Sequence, residues 1–264
     1  MRFYFLGGLL LVSSFGLHAA PATIDTSALG EDGGASAGVG VTVSVATRPY
    51  EDADDAVAFL PYFSFGVGDF YISGLNLGYQ LTEDPDEFTA PEVELRWDII
   101  AVPRFLGFKA EESDVLLGLE DTDYSIHAGI SASLINGPVN FNAQVLTDIL
   151  GVSGGTEVIT TVSKAFSFDK LSLTPAFNLS WQDSNLVDHY FGISAADATA
   201  ERAAYNGDSV VNVGASLTAA YPFTGSLLGI GAVTVDQFGS GITDSPIATD
   251  DAVTTATFGL VYSF

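Results

Sequence analysis

The stretch Leu171-Ser172-Leu173-Thr174-Pro175-Ala176-Phe177-Asn178-Leu179-Ser180-Trp181 decides how this chain folds. On an extended backbone Leu171, Leu173, Pro175, Phe177, Leu179 and Trp181 share one face. Ser172, Thr174, Ala176, Asn178 and Ser180 take the other, because strand side chains alternate with period two. A helix would scatter both sets around its circumference. The pattern recurs along the chain: Val93, Leu95, Trp97 and Ile99 alternate with Glu94, Arg96 and Asp98, which puts charges of both signs on one polar face. Tyr124, Ile126, Ala128, Ile130, Ala132 and Leu134 alternate with Ser125, His127, Gly129, Ser131 and Ser133. Val139, Phe141, Ala143 and Val145 do so with Asn140, Asn142 and Gln144, and Val211 to Tyr221 repeats the rule.

Segments of about ten residues with one apolar and one polar face fit a tilted crossing of a bilayer. Short connections fall at Gly66-Val67-Gly68-Asp69, Asn136-Gly137-Pro138, Ser167-Phe168-Asp169-Lys170 and Pro222-Phe223-Thr224-Gly225. Long ones cover residues 183–209, 109–122 and 239–251. Short turns on one side and long loops on the other are the asymmetry of an outer-membrane barrel. The chain ends with Phe258, Leu260, Tyr262 and Phe264 on one face. Outer-membrane barrels commonly present such a strand to their assembly machinery, so Tyr262 and Phe264 read as the assembly signal. The expected fold is all-β, an antiparallel transmembrane β-barrel of about 12 strands over residues 37–264. Eleven strands are legible, and single-chain bacterial barrels have an even number. The twelfth is expected either by splitting residues 70–81 at Gly74 or within residues 102–119.

Composition narrows the function classes. The 264 residues carry 33 Asp and Glu against 8 Lys and Arg, a net charge of -25, with no cysteine and 47% hydrophobic residues. So few cations cannot line a phosphate-binding groove, which excludes nucleic acid as a partner. The missing cysteine excludes disulfides, thiolate catalysis and Cys-ligated metals. Met1-Arg2, the uncharged apolar residues 3–17 and the small residues Ala19-Ala20 predict a secretory signal peptide over residues 1–19. Residues 20–36 are expected to be a flexible N-terminal segment. The predicted location is the outer membrane of a Gram-negative bacterium, with outer-membrane lipids, lipopolysaccharide and the barrel assembly machinery as partners.

Several short motifs go further. Gly38-Val39-Gly40-Val41-Thr42, Arg48-Pro49-Tyr50-Glu51-Asp52 and Leu60-Pro61-Tyr62 precede Asp148-Ile149-Leu150-Gly151-Val152-Ser153-Gly154. His189-Tyr190-Phe191-Gly192-Ile193-Ser194, Ala204-Tyr205-Asn206 and Asp244-Ser245-Pro246-Ile247 follow in order. With these motifs the mature chain resembles the MipA/OmpV family of outer-membrane proteins. The resemblance implies a non-enzymatic scaffold at the cell envelope, linking a murein hydrolase, a lytic transglycosylase, to a murein synthase, a bifunctional penicillin-binding protein. The alternative is a small cation-preferring diffusion channel, with Glu94, Arg96, Asp98 and His127 as lumen-facing candidates.

The residues also offer chemistry that their context does not support. Gly151-Val152-Ser153-Gly154-Gly155 fits G-x-S-x-G, but the strand-turn-helix setting of a nucleophile elbow is missing. Ser125-x-His127 is the spacing of some barrel lipid hydrolases, which present the pair to lipid, whereas here both fall in the polar register. A lipid-modifying barrel enzyme is therefore the weakest alternative, and no catalytic residue, cofactor or metal site is expected. The acidic clusters at residues 51–55, 83–87, 111–114 and 120–123 read as solvated loops. None has an EF-hand pattern, although divalent-cation binding at the lipopolysaccharide surface is an open reading. The longest loop combines Tyr190, Phe191, Arg202 and Tyr205, which are expected either to bind a partner or to fold inward as a plug.

Overall fold

In a computed structural model the described residues are 8–11, 22–25, 37–50, 53–82, 93–105, 107–135 and 139–264. A closed antiparallel barrel begins with β1 (Gly38–Ala46), β2 (Ala56–Val67), β3 (Phe70–Gly74), β4 (Asn76–Gln80), β5 (Glu94–Arg104) and β6 (Ser125–Ile135). It continues with β7 (Asn140–Asp148), β8 (Thr156–Ser163 and Phe166–Phe168), β9 (Leu171–Gln182), β10 (Val210–Pro222), β11 (Leu227–Gln237) and β12 (Ala252–Ser263). Each strand pairs with its sequence neighbour, and β12 closes on β1 with Phe258 opposite Val43. A two-stranded ribbon pairs Gly8–Leu11 with Ala22–Asp25 and lies against β3, β9 and β10. Cleavage after Ala19 would remove one of its strands, and most of the predicted signal peptide and flexible segment lies outside the described residues.

The alternation sorts residues inside out. On β9, Phe177 and Leu179 are 49% and 43% exposed, while Asn178 and Ser180 between them are 2% and 0% exposed. A soluble sandwich would bury the first pair and wet the second. Here the apolar residues form a band around the barrel and the polar ones face the lumen. Near the short-turn end this band carries exposed Phe70, Tyr79, Phe141, Phe166, Phe168, Tyr221, Phe223, Tyr262 and Phe264. Such aromatic girdles sit at a membrane interface.

The hidden strand lies at Gly74. Residues 70–80 read as one strand of alternating side chains, yet they fold back on themselves as β3 and β4, with Ser73 opposite Asn76. Gly74 makes the reversal at φ +63°, a conformation that costs an L-residue with a side chain about 1–2 kcal/mol. Residues 102–119 supply no strand of their own beyond the end of β5. One apparent break is not a new strand. Thr156–Ser163 and Phe166–Phe168 share a single register against β9, with Ser163 opposite Ala176 and Phe166 opposite Leu173. Between them Lys164 N donates to Pro175 O at 3.2 Å, and Pro175 has no N–H to return the bond. The barrel therefore has twelve strands.

Five connections, residues 47–55, 105–124, 149–155, 183–209 and 238–251, gather at one end, where they contain α1 (Ser184–Phe191) and α2 (Ser240–Thr243), while residues 81–93 join β4 to β5 at the other. Both chain ends of the barrel lie at that other end, with the short turns, and it is periplasmic by the rule of these barrels. Reversing the face of one strand position should show the membrane dependence. Leu179→Arg is expected to lower stability in lipid vesicles by about 2–4 kcal/mol, as for a cation placed on the lipid face near mid-bilayer. The exposed loop variant Ala200→Arg should be neutral in the same urea titration.

Candidate functional site

The loop end is not an open mouth. Tyr50, Phe108, Leu116, Leu119, Leu186, Val187, Tyr190, Phe191, Ile193, Val210, Phe238, Ile242, Ile247, Ala248 and Val253 form one buried apolar cluster. It draws on all the connections at this end except residues 149–155, together with the strand ends below them. Helix α1 starts where Asp183 caps it by accepting from Leu186 N at 2.9 Å. Its apolar face turns Leu186, Val187, Tyr190 and Phe191 into the cluster. Tyr50 meets Phe108 edge-on with ring centroids 5.2 Å apart, and its ring lies 6.0 Å from that of Phe191.

Hydrogen bonds tie the connections to one another. Ser245 Oγ donates to Phe191 O at 2.6 Å, so the Tyr-Phe-Gly-Ile-Ser and Asp-Ser-Pro-Ile motifs dock together. Ile193 exchanges backbone bonds with Tyr205 at 2.7 and 3.0 Å, and Tyr205 Oη donates to Gly241 O at 2.9 Å. Arg202 is buried and donates to Val115 O, Leu117 O and Asp197 O at 2.7, 3.1 and 2.9 Å. Arg48 donates to both carboxylate oxygens of Glu112, at 2.7 and 3.2 Å. Tyr190, Phe191, Arg202 and Tyr205 thus hold a lid together; the side chains of Tyr190 and Phe191 are not displayed to solvent.

Beneath the lid the polar faces of the strands converge. Arg104 on β5 pairs with Glu157 on β8, while Ser125 and His127 on β6 project into the same space. His127 is 0% exposed. Burial pushes the Tyr190 phenol up, with Arg104 and Ser125 opposing it. Lower down, Arg96 Nε donates to Asp98 Oδ1 at 3.0 Å, and its guanidinium lies 5.3 Å from the Tyr71 ring centroid. Glu94, Arg96, Asp98 and His127 all occupy the inward register, though at different heights. The G-x-S-x-G stretch is a loop folded around a carboxylate: Asp148 accepts from Ser153 N, Gly154 N and Leu150 N at 2.6, 3.0 and 2.9 Å. No cluster of three potential metal ligands occurs among the described residues. At the opposite end Tyr262 and Phe264 face outward with ring centroids 5.4 Å apart.

The lid core was the part that sequence reading missed. Phe108, Leu116, Leu119 and Ile242 lie in connections, and the available signal was bulky apolar residues set between acidic ones where solvated loops were expected.

The model of the family described as MltA-interacting protein MipA matches residues 39–264. The chain belongs to this family. The MltA-interacting protein of Escherichia coli (strain K12) is 25% identical over 229 residues, covering 86% of this chain and 89% of its own. Outer membrane protein OmpV of Vibrio cholerae is 24% identical over 144 residues, 54% of this chain and 55% of its own. Among solved structures, an outer membrane channel from Pseudomonas putida F1 gives a TM-score of 0.42 at 14% identity, covering 92% of this chain and 100% of that one. This MipA-family protein is accordingly an outer-membrane β-barrel of a Gram-negative bacterium. The motifs that carried the resemblance, from Arg48 to Ile247, are largely the lid.

Two outcomes test the lid. Phe191→Ala removes a fully buried ring and should cost about 3–5 kcal/mol of local packing. Protease nicking within residues 192–209 should rise, while the heat-modifiable band of the folded barrel persists. The second concerns pH. Burial holds His189 below its ordinary value, against the opposing pull of Asp148, Asp123 and Asp188. An opened lid binds a proton near pH 6.5 that the closed lid resists. The stability His189 lends is therefore complete above that pH and declines as pH falls through it. Nicking should increase between pH 7.5 and 5.5, and less steeply in His189→Gln.

Proposed function

We propose that this protein is a non-enzymatic scaffold of the cell envelope, whose periplasmic end engages a murein hydrolase of the lytic transglycosylase class and, with it, a bifunctional penicillin-binding protein. The observation that carries the reading is membership of a family described as MltA-interacting, combined with a relative of that name aligned over most of both chains. The capped outer mouth supports it too, since a diffusion channel needs an open path that a packed apolar lid does not offer. A lid on the outer side cannot reach murein enzymes, so contact falls to the periplasmic turns or to residues 21–36. Exposed Phe168, the last residue of β8, and Phe223 stand where the aromatic belt meets two of those turns, beside Asp169, Lys170 and Thr224.

The decisive measurement is cross-linking in intact cells, followed by purification from outer membranes and mass spectrometry of the captured proteins. A lytic transglycosylase or penicillin-binding protein should be recovered reproducibly, and be absent from an unrelated barrel treated identically. Phe168→Ser with Phe223→Ser should reduce capture several-fold, whereas Phe191→Ala in the lid should leave it unchanged. Recovery of neither enzyme class despite efficient cross-linking would remove the scaffold reading.

A further inference from the structure

The barrel wall is incomplete in its outer half. The β3–β4 hairpin is short: β3 pairs with β2 only from Phe63 to Val67, and β4 pairs with β5 only from Asp98 to Ala101. Above Gly74 no ladder joins β2 to β5 among the described residues, so residues 56–62 of β2 and 102–104 of β5 are edges. Where the hairpin is present, these two strands stand three spacings of about 4.8 Å apart. Over the gap, Arg48 reaches Gly107 O and Glu112, and Tyr50 packs on Phe108. The result is a window in the wall, with the hairpin as sill, strand edges as jambs and the lid as lintel.

An exposed sheet edge within hydrocarbon is costly because its N–H and C=O groups lack partners. Both edges carry a proline. The two-residue turn Gly68-Asp69 makes Val67 and Phe70 a hydrogen-bonded pair, so Phe65, Phe63 and then Pro61 turn their backbone groups toward the hairpin side. Trp97 O accepts from Leu81 N at 2.8 Å, which sets Trp97, Ile99, Ala101 and then Pro103 toward the same gap. Pro61 and Pro103 thus remove one donor from each edge at the positions where the hairpin no longer supplies an acceptor. Phe59, flanked by a strand on one side only, is 75% exposed.

The lumen changes character at this opening. Inward residues are mostly polar, but two apolar clusters each start at one jamb. One joins Tyr62 to Ala220, Leu228, Ile230 and Val261. The other joins Val102 and Ile100 to Leu146 and Ile159. In the second, Gly129 lies between Ile100 and Leu146 in the register, and its missing side chain lets them meet; an added Cβ would come within 1.8 Å of Val145 O. At the sill, Asn76 is buried with neither side-chain oxygen nor nitrogen hydrogen-bonded.

We propose that the window admits an acyl chain of a bilayer lipid, which lies along Val102, Ile100, Leu146 and Ile159 while the Asn76 amide meets the polar end of the chain. The occupant follows from where the opening faces. It leads sideways from the hydrocarbon, through edges relieved of donors, onto an apolar strip that a lid separates from the outer water. This inference goes beyond the scaffold reading and does not depend on it.

The chain has two tryptophans, Trp97 and Trp181, which makes a quenching test direct. In a background of Trp97→Phe and Trp181→Phe, single tryptophans are placed inside as Leu146→Trp and, separately, Ile159→Trp. Refolded protein, verified by heat-modifiable migration, is reconstituted in phosphatidylcholine vesicles with brominated acyl chains. A protein retaining only outward Trp97 is the lipid-exposed reference, and Thr174→Trp on the inward face of β9 is the lumen reference. An inside tryptophan in the strip quenched at least half as strongly as Trp97 supports entry of the chain. Quenching of both strip positions no stronger than at Thr174→Trp overturns it. Should Leu146→Trp fail to fold, Ile159→Trp decides alone.

Discussion

Outside the gap between β2 and β5, each backbone amide of this barrel that stands at membrane depth finds its partner on a neighbouring strand, because hydrocarbon offers none. That constraint closes the sheet through β12 and β1, fixes the register around it and reverses the usual placement of residues. Asn178, Ser180 and Gln182 are buried because their strand turns them to the lumen, while Phe177, Leu179 and Trp181 meet lipid. The prolines obey the same constraint. Pro175, Pro61 and Pro103 each set their missing donor where the adjacent strand is interrupted or absent, so no ladder bond is forfeited in the paired wall.

A closed wall leaves the ends to be managed separately. The turn end has short reversals at residues 68–69, 169–170 and 223–226, one longer connection at residues 81–93, and a belt of aromatics at the interface. The loop end spends many residues on a second, conventional core, packed as in a soluble protein with buried Phe191, Ile193, Leu186 and Ile247. The two halves thus follow opposite hydrophobic rules, one facing lipid and one excluding water. The lid motifs lie far apart in sequence and meet only there: Arg48 with Glu112, Ser245 with Phe191, Arg202 with Val115.

Membership of the MltA-interacting protein MipA family places the protein in the outer membrane and frames the scaffold reading. In the lid, the stretches around Arg48, His189–Ser194, Ala204–Asn206 and Asp244–Ile247 make contacts between loops. Ser125 and His127, whose spacing hinted at chemistry, project together into the space under this lid alongside the Arg104–Glu157 pair. Their setting is a buried polar cluster under the lid, reached on the β5 side by Arg104.

By itself, the sequence determined what depends on local alternation: strand existence, which face meets lipid, the short turns, the long loops and the aromatic end at Tyr262 and Phe264. Period two is a property of each strand alone, so it can be read without knowing the neighbours. Even the twelfth strand was legible as a parity requirement, with Gly74 one of its two expected positions. Tertiary structure decided the rest. Whether Tyr190 and Phe191 face a partner or one another, whether Leu116 and Leu119 are loop or core, and whether β3 and β4 reach the full height of the wall depend on contacts between segments 50 to 200 residues apart. Such contacts have no local period, and only the closed barrel brings them within reach.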